Sequence, residues 1–392
     1  MTGFNDNCEV FMTMTQCPCC LTQIERKSIY KREHCPAMNN VTYETEREAV
    51  GSPVGELELI LCHKCGLVFN SVFDATLLNY DRRYDNSRNS SKAYCDYLDE
   101  LVANFAGDIS KDAKILEVGC GNGDFLKILC EKTGASGFGY DQTYTGEVNY
   151  KTATLYKEYF KPPTSRRTYD VLVLRHVLEH VHQPYLFLKD LCRSEVLVEG
   201  AKIWIETPDL EWIVKRGAFY DVTYEHCNYF SKDSLATLVS SIGFCNIRST
   251  NVFGGQYLLL EAAYRAADQK WPEGNSSTSG VDLKNVFDTF QKRCSDFIRS
   301  SENLCVWGAS GKGVIFLSCL DAELSEKVKR VVDINRKKQG RFLPVSGKCV
   351  ESPEVLKEEK GRNDVLIMNE MYREEIEETL RTMGVSIRSH IL

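Results

Sequence analysis

The 392-residue chain carries 48 Lys and Arg against 55 Asp and Glu, a net charge of −7, with 43% hydrophobic and 26% charged residues. This composition excludes a fibrous or largely disordered chain, and the length exceeds what one core usually holds, so two or three domains are expected. The acidic balance offers no general attraction for a polyphosphate, and no apolar run approaches bilayer-spanning length, so neither nucleic acid nor a membrane is expected as a partner. Residues 1–9 lack a basic region followed by an apolar core. A cytoplasmic location is therefore expected, and the 17 cysteines read as metal ligands or buried thiols rather than disulfides.

In chain order, the first segment (10–75) holds Cys17-Pro-Cys-Cys20 and Cys62-His-Lys-Cys65. It resembles a zinc ribbon. Two residues between cysteines let both thiolates of a turn reach one ion, and two such knuckles complete a tetrahedral site, so Cys17, Cys20, Cys62 and Cys65 are the expected structural Zn²⁺ ligands. Cys19, His34, Cys35 and His63 lie close enough in sequence to substitute.

The second segment (76–268) alternates apolar strands with amphipathic helices, the pattern of a doubly wound parallel sheet. Strands are predicted at 114–118, 136–140, 169–174 and 202–205, and helices at 123–132, 184–192 and 231–242, the last N-capped by Ser231. The first strand runs into Glu117-Val-Gly119-Cys-Gly121-Asn-Gly123-Asp124. Its first two glycines allow a sharp turn and close backbone approach to a ligand. A dinucleotide loop lacks an internal acid such as Glu117, which here can meet an ammonium through water. Asp141, ending the next strand, can accept from two ribose hydroxyls. The pair reads as a cradle for S-adenosylmethionine. The strand at 169–174 leads into Arg175-His176-Val-Leu-Glu-His180, which resembles the post-strand motif of class I methyltransferases. That likeness implies Arg175 and His176 beside the methionine part of the cofactor and His180 facing the acceptor.

A Gly, Ser, Pro and Asn-rich linker, 269–280, precedes a smaller α/β unit (281–392) with a helix to about residue 301, a strand at 304–307, and strands near 330–333 and 365–368. Between them, Gly308-Ala-Ser310-Gly-Lys312-Gly follows a strand and opens a helix, a geometry that aims backbone N–H groups at a phosphate. Its spacing is not that of an ATP-hydrolysing loop. Lys337, Lys338 and Arg341 form a basic run that reads as a solvated face or as a frame for the same anion.

Tyr224-Glu225-His226 supplies, just before a helix, a phenol, a carboxylate and a base titrating near neutrality, groups suited to abstracting a proton from carbon. Together with Cys65-Gly-Leu-Val, Tyr80-Asp-Arg-Arg-Tyr84, Tyr229-Phe-Ser, Gly254-Gly255, Gly308-Ala-Ser310-Gly-Lys312-Gly, Asp333-Ile-Asn-Arg and Asn369-Glu-Met-Tyr372, the cluster makes the whole chain resemble the nucleotide-sugar C-methyltransferases. The resemblance implies an N-terminal zinc-binding domain, a class I methyltransferase core and a C-terminal Rossmann-like domain. It implies methyl transfer to a sugar carbon beside a ketone through an enolate. His226 is then the base, with Glu225, His180 and Tyr84 in support, and Ser310 and Lys312 hold the acceptor's diphosphate, Lys312 as counter-charge. Two departures stand out: Thr223 occupies the place where that family tends to carry tyrosine, which leaves the role of Tyr224 open, and Gly121-Asn122-Gly123-Asp124 stands where it often reads Asn-Asp-Gly. The alternatives are O- or N-methylation of a small molecule and, in a different class, a zinc-ribbon protein that modifies or binds RNA.

Overall fold

In the computed structural model, residues 14–81, 83–161, 168–193, 195–269, 271, 282–358 and 363–391 are described. Runs such as Val171–Leu174 and Ile203–Ile205 are buried without alternation because the sheet they form is covered on both faces. That eight-stranded sheet places Lys114–Val118 at its centre, with Ser136–Tyr140 and Ala153–Tyr156 parallel on one side and Tyr169–Arg175 and Leu197–Pro208 parallel on the other. The antiparallel strands Tyr257–Tyr264 and Phe244–Val252 close one edge. The order of strand addition reverses between Lys114–Val118 and Tyr169–Arg175, and a crevice opens at the carboxyl ends of strands at such a switch point. The four predicted strands appear within these bounds, Leu197–Pro208 extending well beyond 202–205. The helices form at Asp124–Thr133, Pro184–Leu191 and Lys232–Ser240. Ser231 caps the last through a reciprocal pair with Ser234.

The N-terminal segment is woven into the rest of the chain. Its strands Ser28–Pro36, Val54–Leu61 and Val68–Asn70 form an antiparallel sheet whose fourth strand, Asn228–Tyr229, comes from beside the Glu225-His226 pair. Cys17, Cys20, Cys62 and Cys65 share a core with Leu188 and Ile205, from a helix and a strand of the large sheet's layer, and with Phe230. Tyr30 and Leu57 share another with Phe287 and Phe316 near the C-terminus.

The C-terminal unit is a five-stranded parallel sheet with Leu304–Trp307 at its centre, flanked by Val328–Val332 and Asn363–Ile367. Its Glu375 carboxylate accepts hydrogen bonds from Ser91 Oγ (2.7 Å) and the amides of Lys92 (3.1 Å) and Ala93 (3.2 Å). It thereby caps the helix Lys92–Ala106 of the second segment, where an anion is favoured. The expected linker at 269–280 falls, apart from Gln269 and Trp271, outside the described residues. Among the described residues no helix is long and apolar enough to cross a membrane.

Candidate active site

The glycine loop turns out of Lys114–Val118 with Gly119 at φ +74° and Gly121 at φ +54°, the left-handed region that favours glycine. A Cβ at Gly119 would lie 2.4 Å from Val177 Cγ2, so this loop and the post-strand loop touch. Asp141 closes the loop from the neighbouring strand, accepting from the Gly121 amide (2.9 Å) with one carboxylate oxygen and from the Thr143 amide (2.7 Å) and hydroxyl (2.6 Å) with the other. The oxygen bonded to Gly121 keeps lone-pair capacity for a ligand hydroxyl. Glu117 is 2% exposed, one of its oxygens lacks a partner, and burial raises its carboxyl to about 8. An ammonium or hydroxyl donor entering the cavity would relieve that isolation.

Arg175 and His176 are held by one buried acid. The Glu206 carboxylate, at the end of Leu197–Pro208, accepts from Arg175 Nε at 2.9 Å and lies 2.9 Å from His176 Nε2. Burial opposes its ionisation, but the Arg175 guanidinium, with the His176 ring beside it, holds its carboxyl well below the usual range. Arg175 also lies over the Phe125 ring, 4.7 Å from its centroid. His176 adopts φ +54°, an uncommon conformation for a non-glycine residue, and its amide donates to the Glu206 carbonyl at 2.8 Å. Glu117, Gly119, Gly121, Asp141, Arg175 and His176 all line one cavity of about 1510 Å³.

A second, smaller cavity of about 240 Å³ lies between the second segment and the C-terminal unit, with His226, Ser310 and Lys312 in its wall. Tyr84, Arg88, His176 and His180 line both, so the two spaces meet there. The His180 and His226 rings pack edge to face at 4.8 Å, and His180 Nδ1 lies 3.0 Å from the Glu225 carbonyl oxygen. Burial, reinforced by His180, His176 and Arg88, holds His226 well below the ordinary histidine range, so its imidazole is neutral at physiological pH.

Not every expected residue reaches this junction. Tyr224 is buried with its hydroxyl tied to the backbone of Asp74, accepting from its amide (2.8 Å) and donating to its carbonyl (3.1 Å), and it lines neither cavity. Thr223, where the resembling family carries tyrosine, does line the second. The Glu225 side chain turns away from His226 to accept from the amide of Asn39, and burial raises its carboxyl to about 7. Lys312 is paired with Asp221 at 2.6 Å and lies over the Trp212 ring, so its charge is already balanced. The lysine beneath the C-terminal glycine turn is Lys338, 2% exposed, which donates to the Ala309 carbonyl (3.2 Å) and to Ser310 Oγ. It is no solvated face. Arg88 and Glu179 are site residues that the sequence motifs did not single out. Arg88 lies in an irregular stretch and Glu179 in a single helical turn, where no periodic pattern marks a buried charge.

Residues 87–249 match the family model of a methyltransferase domain, and residues 281–386 that of the C-methyltransferase C-terminal domain. The chain is an S-adenosylmethionine-dependent methyltransferase. No curated protein matches the chain. Similar solved structures include magnesium protoporphyrin IX methyltransferase of Synechocystis with bound S-adenosylhomocysteine, at 16% identity and TM-score 0.35 over 47% of this chain and 90% of that one. They also include the 1,6-didemethyltoxoflavin-N1-methyltransferase of Burkholderia thailandensis, at 16% identity and TM-score 0.34 over 44% of this chain and 81% of that one. Human N-acetylserotonin methyltransferase matches at 14% identity and TM-score 0.34, over 43% and 55%.

The methyltransferase's glycine loop carries a direct prediction. In Gly119→Ala the left-handed backbone costs roughly 1–2 kcal/mol, and the added methyl meets Val177. We expect a lower melting temperature and at least tenfold weaker S-adenosylmethionine binding by calorimetry. Unchanged affinity would place the cofactor elsewhere.

Proposed function

We propose that the enzyme methylates a carbon beside the carbonyl of a nucleotide-linked keto sugar, His226 removing the α-proton to leave an enolate. One observation carries this reading: the cavity holding neutral His226 is walled on its far side by the Gly308–Gly313 turn and joins the cofactor cavity at Tyr84 and His180. The match of residues 281–386 to a C-methyltransferase domain supports it. S-adenosylmethionine, when bound, supplies an electrophilic methyl group. The chain's own residues do the rest. Glu117 and Asp141 hold the cofactor's polar ends, and the Ser310 turn with Lys338 beneath it holds the acceptor's diphosphate, Lys312 standing at the same wall. His226 takes the α-proton and leaves its electron pair on the substrate as an enolate, the nucleophile that a bound S-adenosylmethionine would methylate with release of S-adenosylhomocysteine. Tyr84, half-buried, stands where a phenol can donate to the enolate oxygen.

The four N-terminal cysteines fit a structural zinc ion. Their thiols lie within 4.8 Å of one another, with Cys17–Cys65 at 3.6 Å and Cys20–Cys62 at 3.5 Å. Zn–S bonds of about 2.3 Å in a tetrahedron put sulfurs about 3.8 Å apart. The ion would tie the two knuckles of 10–75 against the 76–268 core, leaving 281–392 as the acceptor-binding unit.

Incubation with methyl-labelled cofactor and a panel of keto-sugar nucleotides in deuterated water tests the chemistry. We expect the label on carbon, with deuterium entering the α-position of unreacted acceptor. Methyl found only on oxygen or nitrogen would refute the reading.

A further inference from the structure

His226 is surrounded by groups that make it a poor proton acceptor. Burial and the neighbouring His180, His176 and Arg88 all disfavour its charged form, yet a base must carry that charge at the moment of proton transfer. Some anion has to offset it. The adjacent acid in sequence, Glu225, is turned toward Asn39, and Tyr229, 6.3 Å away between ring centroids, is a phenol. Across the cavity, Lys312 and Asp221 neutralise one another.

Of the other acids in this wall, Asp333 accepts from the amides of Ala309 and Asn335, and Glu375 caps Lys92–Ala106. Glu179, in the helical turn Leu178–His180 and 1% exposed, is the acid grouped with His226. One of its carboxylate oxygens lies 3.3 Å from His176 Nδ1, and the other has no hydrogen-bond partner. One of its oxygens, a ring nitrogen of His180 and a ring nitrogen of His226 lie within 4.8 Å of one another. His226 Nδ1 is likewise buried without a hydrogen-bond partner. An acceptor and a ring nitrogen, each buried without a partner in the protein, thus lie on residues of the same cavity wall, and pairing would relieve the cost of burying both.

We propose that Glu179 is the positioning carboxylate of the acceptor site, orienting the imidazole of His226 and stabilising the imidazolium formed when the substrate proton is taken. The proposal rests on the reading of His226 as base. Its proton balance is simple: the proton passes from the substrate carbon to His226 and stays there, and Glu179 takes no part in the transfer. Loss of the Glu179 carboxylate lowers the basicity of the ring, so the acid limb of the pH profile must move to lower pH.

The test compares wild type, Glu179→Gln, Glu179→Asp and His226→Asn as full-length proteins, with methyl transfer to a keto-sugar nucleotide as readout and S-adenosylmethionine binding as a control for folding. Glu179→Gln should bind cofactor as wild type does and lose kcat by at least about tenfold. The acid limb of its kcat/KM profile should fall by about one pH unit, and Glu179→Asp should recover part of both. If Glu179→Gln matches wild type in kcat and pH profile while His226→Asn is inactive, the positioning role is wrong and the base survives. An active His226→Asn removes the base itself. Stimulation of wild type by added Mn²⁺ that Glu179→Gln abolishes would make the cluster a metal ligand set and overturn the proposal.

Discussion

Replacing His226 by Asn should lower carbon methylation by about 10²- to 10⁴-fold, the usual contribution of a positioned general base, while S-adenosylmethionine binds with unchanged affinity. The separation of effects follows from the two cavities. His226 lines the smaller one alone, whereas the residues around the glycine loop line the larger. The shared wall of Tyr84, Arg88, His176 and His180 survives the substitution, and asparagine keeps a polar group near the volume of the ring. Deuterium exchange at the α-carbon should fall in parallel with methylation, because both need proton removal. Full turnover in the variant would assign the base elsewhere. Exchange preserved with methylation lost would give His226 a role in aligning the enolate instead.

Cys62→Ser should remove zinc and with it most of the enzyme's stability. Zinc bound by small cysteine sites is worth about 10–16 kcal/mol in isolated peptides, comparable with the whole stability of a typical domain. In this chain the effect should reach the active site. The Cys62–Cys65 turn, closed by a hydrogen bond from the Gly66 amide to the Cys62 carbonyl, leads into Val68–Asn70, and that strand pairs with Asn228–Tyr229 two residues beyond His226. We expect less than a tenth of the wild-type zinc by elemental analysis, a melting temperature lower by more than about 10 °C, and loss of methylation. Cys19→Ser is the control: its thiol donates to the Ser234 carbonyl at 3.6 Å and lies outside the four-thiol cluster, so zinc should stay near one per chain. Zinc retained in Cys62→Ser and lost in Cys19→Ser would exchange the ligands.

The central strands were legible because their burial on both faces writes itself as unbroken apolar runs, and Leu304–Trp307 could be bounded to the residue for the same reason. The cofactor loop was legible because its residues are contiguous and its glycines answer a local backbone demand. Side-chain direction was a different matter. Tyr224 and Glu225 adjoin His226 in sequence, yet neither phenol nor carboxylate turns to it: Tyr224 is held by Asp74, 150 residues away, and Glu225 by Asn39, 186 away. The surroundings of the basic residues were equally hidden. Lys312, expected as the anion's counter-charge, is paired with Asp221, while Lys338, in a run read as a solvated face or as a frame for that anion, is buried under the glycine turn.

By itself, then, the sequence determined what is local: the doubly wound sheet, the glycine loop with Glu117 and Asp141, and two cysteine knuckles of the spacing one ion needs. Only the tertiary structure decided what is relational. It brought the knuckles within 3.6 Å, joined the two cavities at Tyr84 and His180, and placed Glu179, rather than the neighbouring Glu225, with its acid group near His226. The reason is physical. Backbone conformation and burial follow from short-range sterics and hydrophobic period, but the partner of a buried charge is whichever group the packing leaves within reach.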